Sequence, residues 1–189
     1  MVECDRHWFL TWTMYGTWLP GDTRGFVSNV RDGDGPEIRH NKPETDYDAD
    51  IPGIERAAQE ALAGPPVRVT KEQAEALFEQ FRETGSVRGW QLFAVAIMAN
   101  HCHIVVGVPG DPEPATLLQA FKSYGSRKLN KLWGRPISGT WWTESGSKRK
   151  LANSQSVLTA IRYVMEQEFP LLIWTAAVPE LNLKEGRIT

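Results

Sequence analysis

The chain has 189 residues, 41 % hydrophobic and 23 % charged, which excludes wholesale disorder and favours one domain of ordinary size. The formal charge is −2 and no apolar run approaches the roughly 20 residues of a membrane span, so neither a globally basic nucleic-acid binder nor a membrane-spanning protein is expected. Two cysteines, Cys4 and Cys102, are too few for a disulfide scaffold or a cysteine-based zinc site, and residues 1–7 lack a basic-then-apolar leader, so the expectation is a cytoplasmic protein.

Residues 7–15 read as a strand, with Trp8, Phe9, Leu10, Trp12 and Tyr15 around Thr11 and Thr13. The run Gly16-Thr17-Trp18-Leu19-Pro20-Gly21 breaks it. Residues 22–69 are rich in Gly, Pro, Asp and Asn and read as a long excursion with one short helix at 54–62. Thr70 with Gln73 three positions on forms a capping box. It opens a helix to about Glu83 that carries Ala74, Leu77, Phe78 and Phe81 on one stripe. Residues 90–98 and 101–108 are apolar strands, and the short Ala99-Asn100 connector makes them an antiparallel hairpin.

Residues 114–133 read as a basic amphipathic helix: Leu117, Leu118, Phe121 and Leu129 are apolar, Lys122, Arg127, Lys128 and Lys131 lie on the rest, and Gly125 weakens the middle. A short strand at 140–143, a turn at 146–150, a helix capped by Asn153 or Ser154 and running to about Phe169, and a closing strand at 171–175 complete the chain. This order predicts an α+β sandwich with helices on one sheet face.

The near-neutral total hides a split. Residues 32–62 hold nine acids and three bases, a charge of −6, whereas residues 114–156 hold eight bases and one acid, a charge of +7. A basic block can hold a polyanion locally, and two solvated surfaces would look the same.

His101 and His103 are two apart on a strand and therefore share a face, while Cys102 points the other way. Two neutral imidazoles can take one divalent cation, and two polar residues at a strand start are the plainer alternative. The deeply apolar flanks favour a bound group, since burying two imidazoles is costly. Val105 and Val106 stand where a metallo-hydrolase of the His-x-His-x-Asp-His kind needs an acid and a third imidazole. No second His-x-Thr/Ser pair of a two-histidine phosphoesterase is present. Tyr163 and Gln167, four apart, share one face of the last helix. A phenol can attack phosphorus, and a Gln carbonyl can complete a hard cation's coordination. Taken alone, an amphipathic rim Tyr with a surface Gln is the plainer account of the pair.

Together these segments resemble the single-tyrosine (Y1) transposases of the IS200/IS605 type and the related REP-associated tyrosine transposases. Ala-Asn-His101-Cys-His103-Ile-Val-Val is similar to that family's histidine–hydrophobe–histidine (HUH) strand, with Cys102 in place of the usual aliphatic residue. Tyr163-Val-Met-Glu-Gln167 matches its Tyr-x-x-x-Gln helix, and Lys122-Ser-Tyr-Gly-Ser-Arg-Lys resembles its basic segment. The opening Thr11-Trp12-Thr13 and Gly16-Thr17-Trp18-Leu19-Pro20-Gly21 are similar to one sub-branch.

The resemblance implies a ferredoxin-like antiparallel sheet with helices packed mainly on one face, in a single domain with a long acidic insert at about 32–69. It implies that His101, His103 and Gln167 hold one Mg²⁺ or Mn²⁺ that polarises the scissile phosphate of single-stranded DNA. Tyr163 then attacks, leaving a 5′-phosphotyrosine and a free 3′-OH, and another 3′-OH reverses the step. The implied partners are hairpin-bearing single-stranded DNA and a second copy of the chain, as a homodimer. Lys122, Arg127, Lys128 and Lys131, with Lys148, Arg149 and Lys150, are expected to line the DNA groove leading to the His pair. Tyr124 competes as nucleophile but has Lys128, not a carboxamide, four residues on. The alternative of another class is a non-catalytic, domesticated DNA-hairpin-binding protein, which would not need Tyr163.

Overall fold

In the computed structural model, residues 4–20, 29–31, 37–39 and 52–176 are described. Of the acidic insert, residues 32–36 and 40–51 lie outside the described residues. The elements are β1 (Arg6–Thr13), β2 (Asn29–Arg31), β3 (Glu37–Arg39), α1 (Pro52–Glu60), α2 (Lys71–Arg88), β4 (Gln91–Ile97), β5 (His101–Val108), α3 (Pro114–Trp133), β6 (Ser147–Leu151), α4 (Ser154–Met165) and β7 (Leu172–Thr175). Among the described residues no helix is long and apolar enough to cross a membrane.

Five strands form one antiparallel sheet in the order β6-β1-β5-β4-β7, and β2 and β3 pair separately. The run β1-α2-β4-β5-α3-β6 thus places its fourth strand beside its first, then its third and second, which is the ferredoxin-like arrangement. The last strand, β7, returns after α4 and extends the sheet beyond β4.

Alternation sorts the central strands into two faces. Trp8, Leu10 and Trp12 of β1 join Cys102, Ile104, Val106 and Val108 of β5 in the larger core, covered by Leu77 and Phe81 of α2 and Leu117, Phe121 and Leu129 of α3. An edge-to-face chain of rings runs through it, from Trp142 to Trp12 to Phe81 to Phe121. The opposite face is lined by Ala94 and Ala96 of β4 and Val105 of β5, which receive Ala160 and Val164 of α4. The two long helices share one face, as expected, and among the described residues α4 packs on the other.

Local signals explain most boundaries. Thr70 accepts from the Gln73 amide at 3.3 Å while the Gln73 side chain accepts from the Thr70 amide at 3.0 Å, closing the expected capping box. Yet α2 continues past Glu83 to Arg88 and stops at Gly89, whose φ of 67° is left-handed. The segment 140–143 makes a single bridge, Met14 to Trp142, instead of a strand. The predicted turn at 146–150 is instead the edge strand β6, paired with β1. Four of its five residues are exposed and only Leu151 is buried, so no apolar alternation marks it.

Gly125 is not a weak point of α3. A Cβ there would meet Leu77 Cδ2 at 3.0 Å, Trp142 Cζ2 at 3.3 Å and Phe81 Cε1 at 3.4 Å, so the glycine lets α3 close onto α2. Gly125→Leu should therefore cost about 1–3 kcal/mol in urea unfolding despite its better helix propensity. A variant as stable as the parent would show that the helices have room to part.

Candidate active site

The register of β1 against β5 sets the site. Thr11 stands opposite His103 and Thr13 opposite His101, so both imidazoles project onto the face crossed by α4. Their ring centroids are 4.8 Å apart at an interplanar angle of 84°. His103 is only 4 % exposed. Its Nδ1 is 2.8 Å from Thr11 Oγ1, and its Nε2 is buried with no hydrogen-bond partner. His101 Nδ1 lies 2.8 Å from Asn100 Oδ1.

Aromatic rings enclose His103. Phe9 stacks on it at 5.3 Å, and Tyr163 meets it edge-on at 5.4 Å. Phe9 and Tyr163 also touch each other, at 5.7 Å. Tyr163 remains 51 % exposed, so its ring rests on the buried imidazole while its outer part reaches solvent. Desolvation, then the neighbouring His101, pushes the His103 pKa from 6.5 down to about 3. The Gln167 side chain opposes that shift without completing a hydrogen bond to Nε2. His103 is therefore a neutral base at physiological pH.

Gln167 lies just beyond α4, which ends at Met165 rather than near Phe169. Its Nε2 donates to the Tyr163 carbonyl oxygen at 3.0 Å. That contact satisfies a carbonyl of the last helical turn and leaves the amide oxygen as an acceptor. The structure thus brings His101, His103, Tyr163 and Gln167 together within one chain. Among the described residues no group of three His, Cys, Asp or Glu converges. The orphaned His103 nitrogen and the Gln167 oxygen form a mixed N/O donor set that fits a divalent cation.

The basic residues do not form the single groove that was expected. The helix α3 packs on the other side of the sheet, so Arg127, Lys128 and Lys131 are separated from the His pair by the strands. Lys128 pairs with Glu79 at 3.3 Å, and Arg127 lies over the Tyr124 ring at 5.1 Å. Tyr124 is on that far side too and cannot reach the imidazoles. Lys122 is 7 % exposed, and its ammonium donates to the carbonyls of Thr143, Glu144 and Ser145. It fastens a loop instead of facing solvent. Desolvation and then Lys148 lower its pKa to about 8. In β6 the alternation splits the basic triplet. Arg149 stands opposite Phe9 and shares the His face, whereas Lys148 and Lys150 stand opposite Leu10 and Trp8. Sequence reading missed Phe9 and Thr11 as parts of the site, although their alternation with Trp8, Leu10 and Trp12 marks them as facing away from the larger core.

Residues 67–167 match the family model described as IS200-like transposase. The chain belongs to that family. The match runs from the approach to α2 through Gln167 and so contains His101, His103 and Tyr163, but not β1. No curated protein matches the chain. Among solved structures, the chain is similar to a REP-associated tyrosine transposase bound to a REP hairpin, at 11 % identity and a TM-score of 0.47. That alignment covers 86 % of this chain and 66 % of the other, so this chain spans just under two thirds of its length. A candidate transposase from Deinococcus radiodurans R1 is similar at 13 % identity and a TM-score of 0.45, with 89 % of this chain and 96 % of that one covered.

Two outcomes are expected of this IS200-like transposase. The folded chain binds fewer protons than the unfolded chain between pH 6.5 and about 3, because His103 stays neutral. Its contribution to stability is complete above pH 6.5 and is lost as the pH falls, by at most about 1.4 kcal/mol per pH unit. Metal-free wild type should therefore lose thermal stability on acidification more steeply than His103→Gln; equal slopes would contradict a buried neutral imidazole. Lys122→Met should lower unfolding free energy by about 2 kcal/mol, since charge-assisted bonds to three carbonyls disappear. An unchanged denaturation midpoint would return Lys122 to the solvent-facing surface.

Proposed function

We propose that this IS200-like transposase cleaves and rejoins single-stranded DNA at hairpin-bearing element ends, with Tyr163 as nucleophile. The observation that carries the reading is the orphaned, buried Nε2 of His103 beside the Tyr163 ring and the Gln167 amide. His101, His103 and Gln167 would hold Mg²⁺ or Mn²⁺. Such an ion, when bound, supplies Lewis-acid polarisation of a phosphate.

The chain's own residues do the rest. Phe9 and His103 pack against the Tyr163 ring and restrict its orientation, so the phenolic oxygen is offered in a narrow set of directions. Attack on phosphorus forms the 5′-phosphotyrosine and releases the 3′-OH. The linkage conserves the phosphoester, so a second 3′-OH can reverse the step without external energy. Arg149, on the same face beside Phe9, is suited to a backbone phosphate flanking the cleaved one. Arg127, Lys128, Lys131, Lys148 and Lys150 lie across the sheet. We assign them to the duplex stem of a hairpin, which need not enter the cleavage site. Assembly as a homodimer belongs to the same reading.

The test is incubation with a panel of single-stranded hairpin oligonucleotides and Mn²⁺ or Mg²⁺, followed by denaturing gels. Wild type should give a covalent protein–DNA band. Tyr163→Phe should abolish it while hairpin affinity stays within about twofold, because only one oxygen is removed. Tyr124→Phe should leave the band in place. Undiminished adduct with Tyr163→Phe would overturn the assignment, and hairpin binding by wild type without any adduct would make the protein a non-catalytic hairpin binder.

A further inference from the structure

Each histidine of the pair is held at Nδ1 by a residue outside the four chemical ones. Asn100 Oδ1 lies 2.8 Å from His101 Nδ1, and Thr11 Oγ1 lies 2.8 Å from His103 Nδ1. An amide oxygen can only accept, so His101 carries its proton on Nδ1. A hydroxyl can do either, and the other nitrogen decides. His103 Nε2 is buried and makes no hydrogen bond. The Gln167 side chain lies beside the ring but does not reach hydrogen-bonding geometry with Nε2, so a proton there would be an orphaned buried N–H, which is rarer and costlier than an unpaired lone pair. The Thr11 hydroxyl therefore accepts from Nδ1–H.

We propose that Thr11 and Asn100 are positioning residues that fix both imidazoles as the Nδ1–H tautomer and so turn both Nε2 lone pairs towards the cation. This rests on the metal-binding reading above for its purpose, though not for its geometry. Thr11 lies in β1, outside the segment that matches the family model. It reaches His103 only because the β1–β5 register sets the two residues opposite each other. Asn100 comes from the hairpin connector directly before His101. Its backbone carbonyl is engaged separately, by the Met14 amide at 2.8 Å and the Thr17 hydroxyl at 3.0 Å, so the side chain can be changed while those bonds remain. A fixed outer partner orients a ligand ring and raises its basicity, and losing one typically weakens metal binding by about 10–100-fold.

The test uses metal-free full-length protein labelled with ¹⁵N-histidine at a pH where the imidazoles are neutral, with resonances assigned by His→Gln variants. Both His101 and His103 should show pyrrole-type Nδ1 and pyridine-type Nε2 shifts. Thr11→Val keeps the β-branched shape and removes the acceptor. It should move His103 towards the Nε2–H form, leave His101 as it was, and weaken Mn²⁺ binding by about 10–100-fold in a calorimetric titration. Thr11→Ser should restore both readouts, and Asn100→Ala should shift His101 alone. An Nε2–H signal from either imidazole in wild type, or a wild-type spectrum from Thr11→Val, would overturn the proposal. The two readings fail separately: a wild type that takes up no Mn²⁺ counts against the metal, whereas the shifts alone judge the tautomers.

Discussion

Thr11 and His103 face each other across the central strand pair, and the alternation that runs outward from this pairing sorts every other side chain of the two strands. With this register, Cys102, Ile104 and Val106 enter the larger core and His101, His103 and Val105 turn to the α4 face. A slip of one residue would drive two imidazoles among the rings of Trp12, Phe81 and Phe121 and leave Ile104 and Val106 under the wrong helix. The apolar demand of that core is what keeps the chemical residues in place. The geometry of the candidate site is inherited from packing on the opposite side of the sheet.

The α4 face carries a different balance. Small residues, Ala94, Ala96 and Ala160, let the helix lie close to the strands. Closeness buries His103 and depresses its basicity, and Phe9 stacks on the ring. The same packing leaves Tyr163 half in solvent. Burial thus keeps the imidazole neutral while Tyr163 stays open to solvent, two properties that a uniformly buried or uniformly open site could not combine.

Much of this was legible in the sequence because long apolar alternation and caps are local signals. Trp8, Leu10 and Trp12 announced β1, the Thr70–Gln73 box announced α2, and the spacings 101/103 and 163/167 announced which side chains share faces. The illegible parts have physical reasons. The edge strand β6 needs only one buried residue, so Ser147-Lys148-Arg149-Lys150 resembles a turn. The helix expected to end at about Glu83 instead passes through Gly85, where a Cβ would press on the Trp90 carbonyl at 3.1 Å. Lys122 resembles its basic neighbours until the loop at 143–145 folds over it. Periodicity says which face of α3 is apolar, and says nothing about which side of the sheet receives it. The basic groove was misplaced for that reason.

The bond from Gln167 to the Tyr163 carbonyl ties the residue just beyond α4 to the backbone of Tyr163 one turn earlier. An amide donates there and still offers an oxygen on its other side, whereas a carboxylate would repel the carbonyl. The two groups therefore travel as one cargo. His101 and His103 are anchored in the sheet, so the site comes apart along a single seam, with imidazoles on one side and phenol plus amide on the other. Any swing of α4 opens or closes that seam in one movement, and a sheet that received α4 from a second copy would receive both groups already set at their mutual spacing.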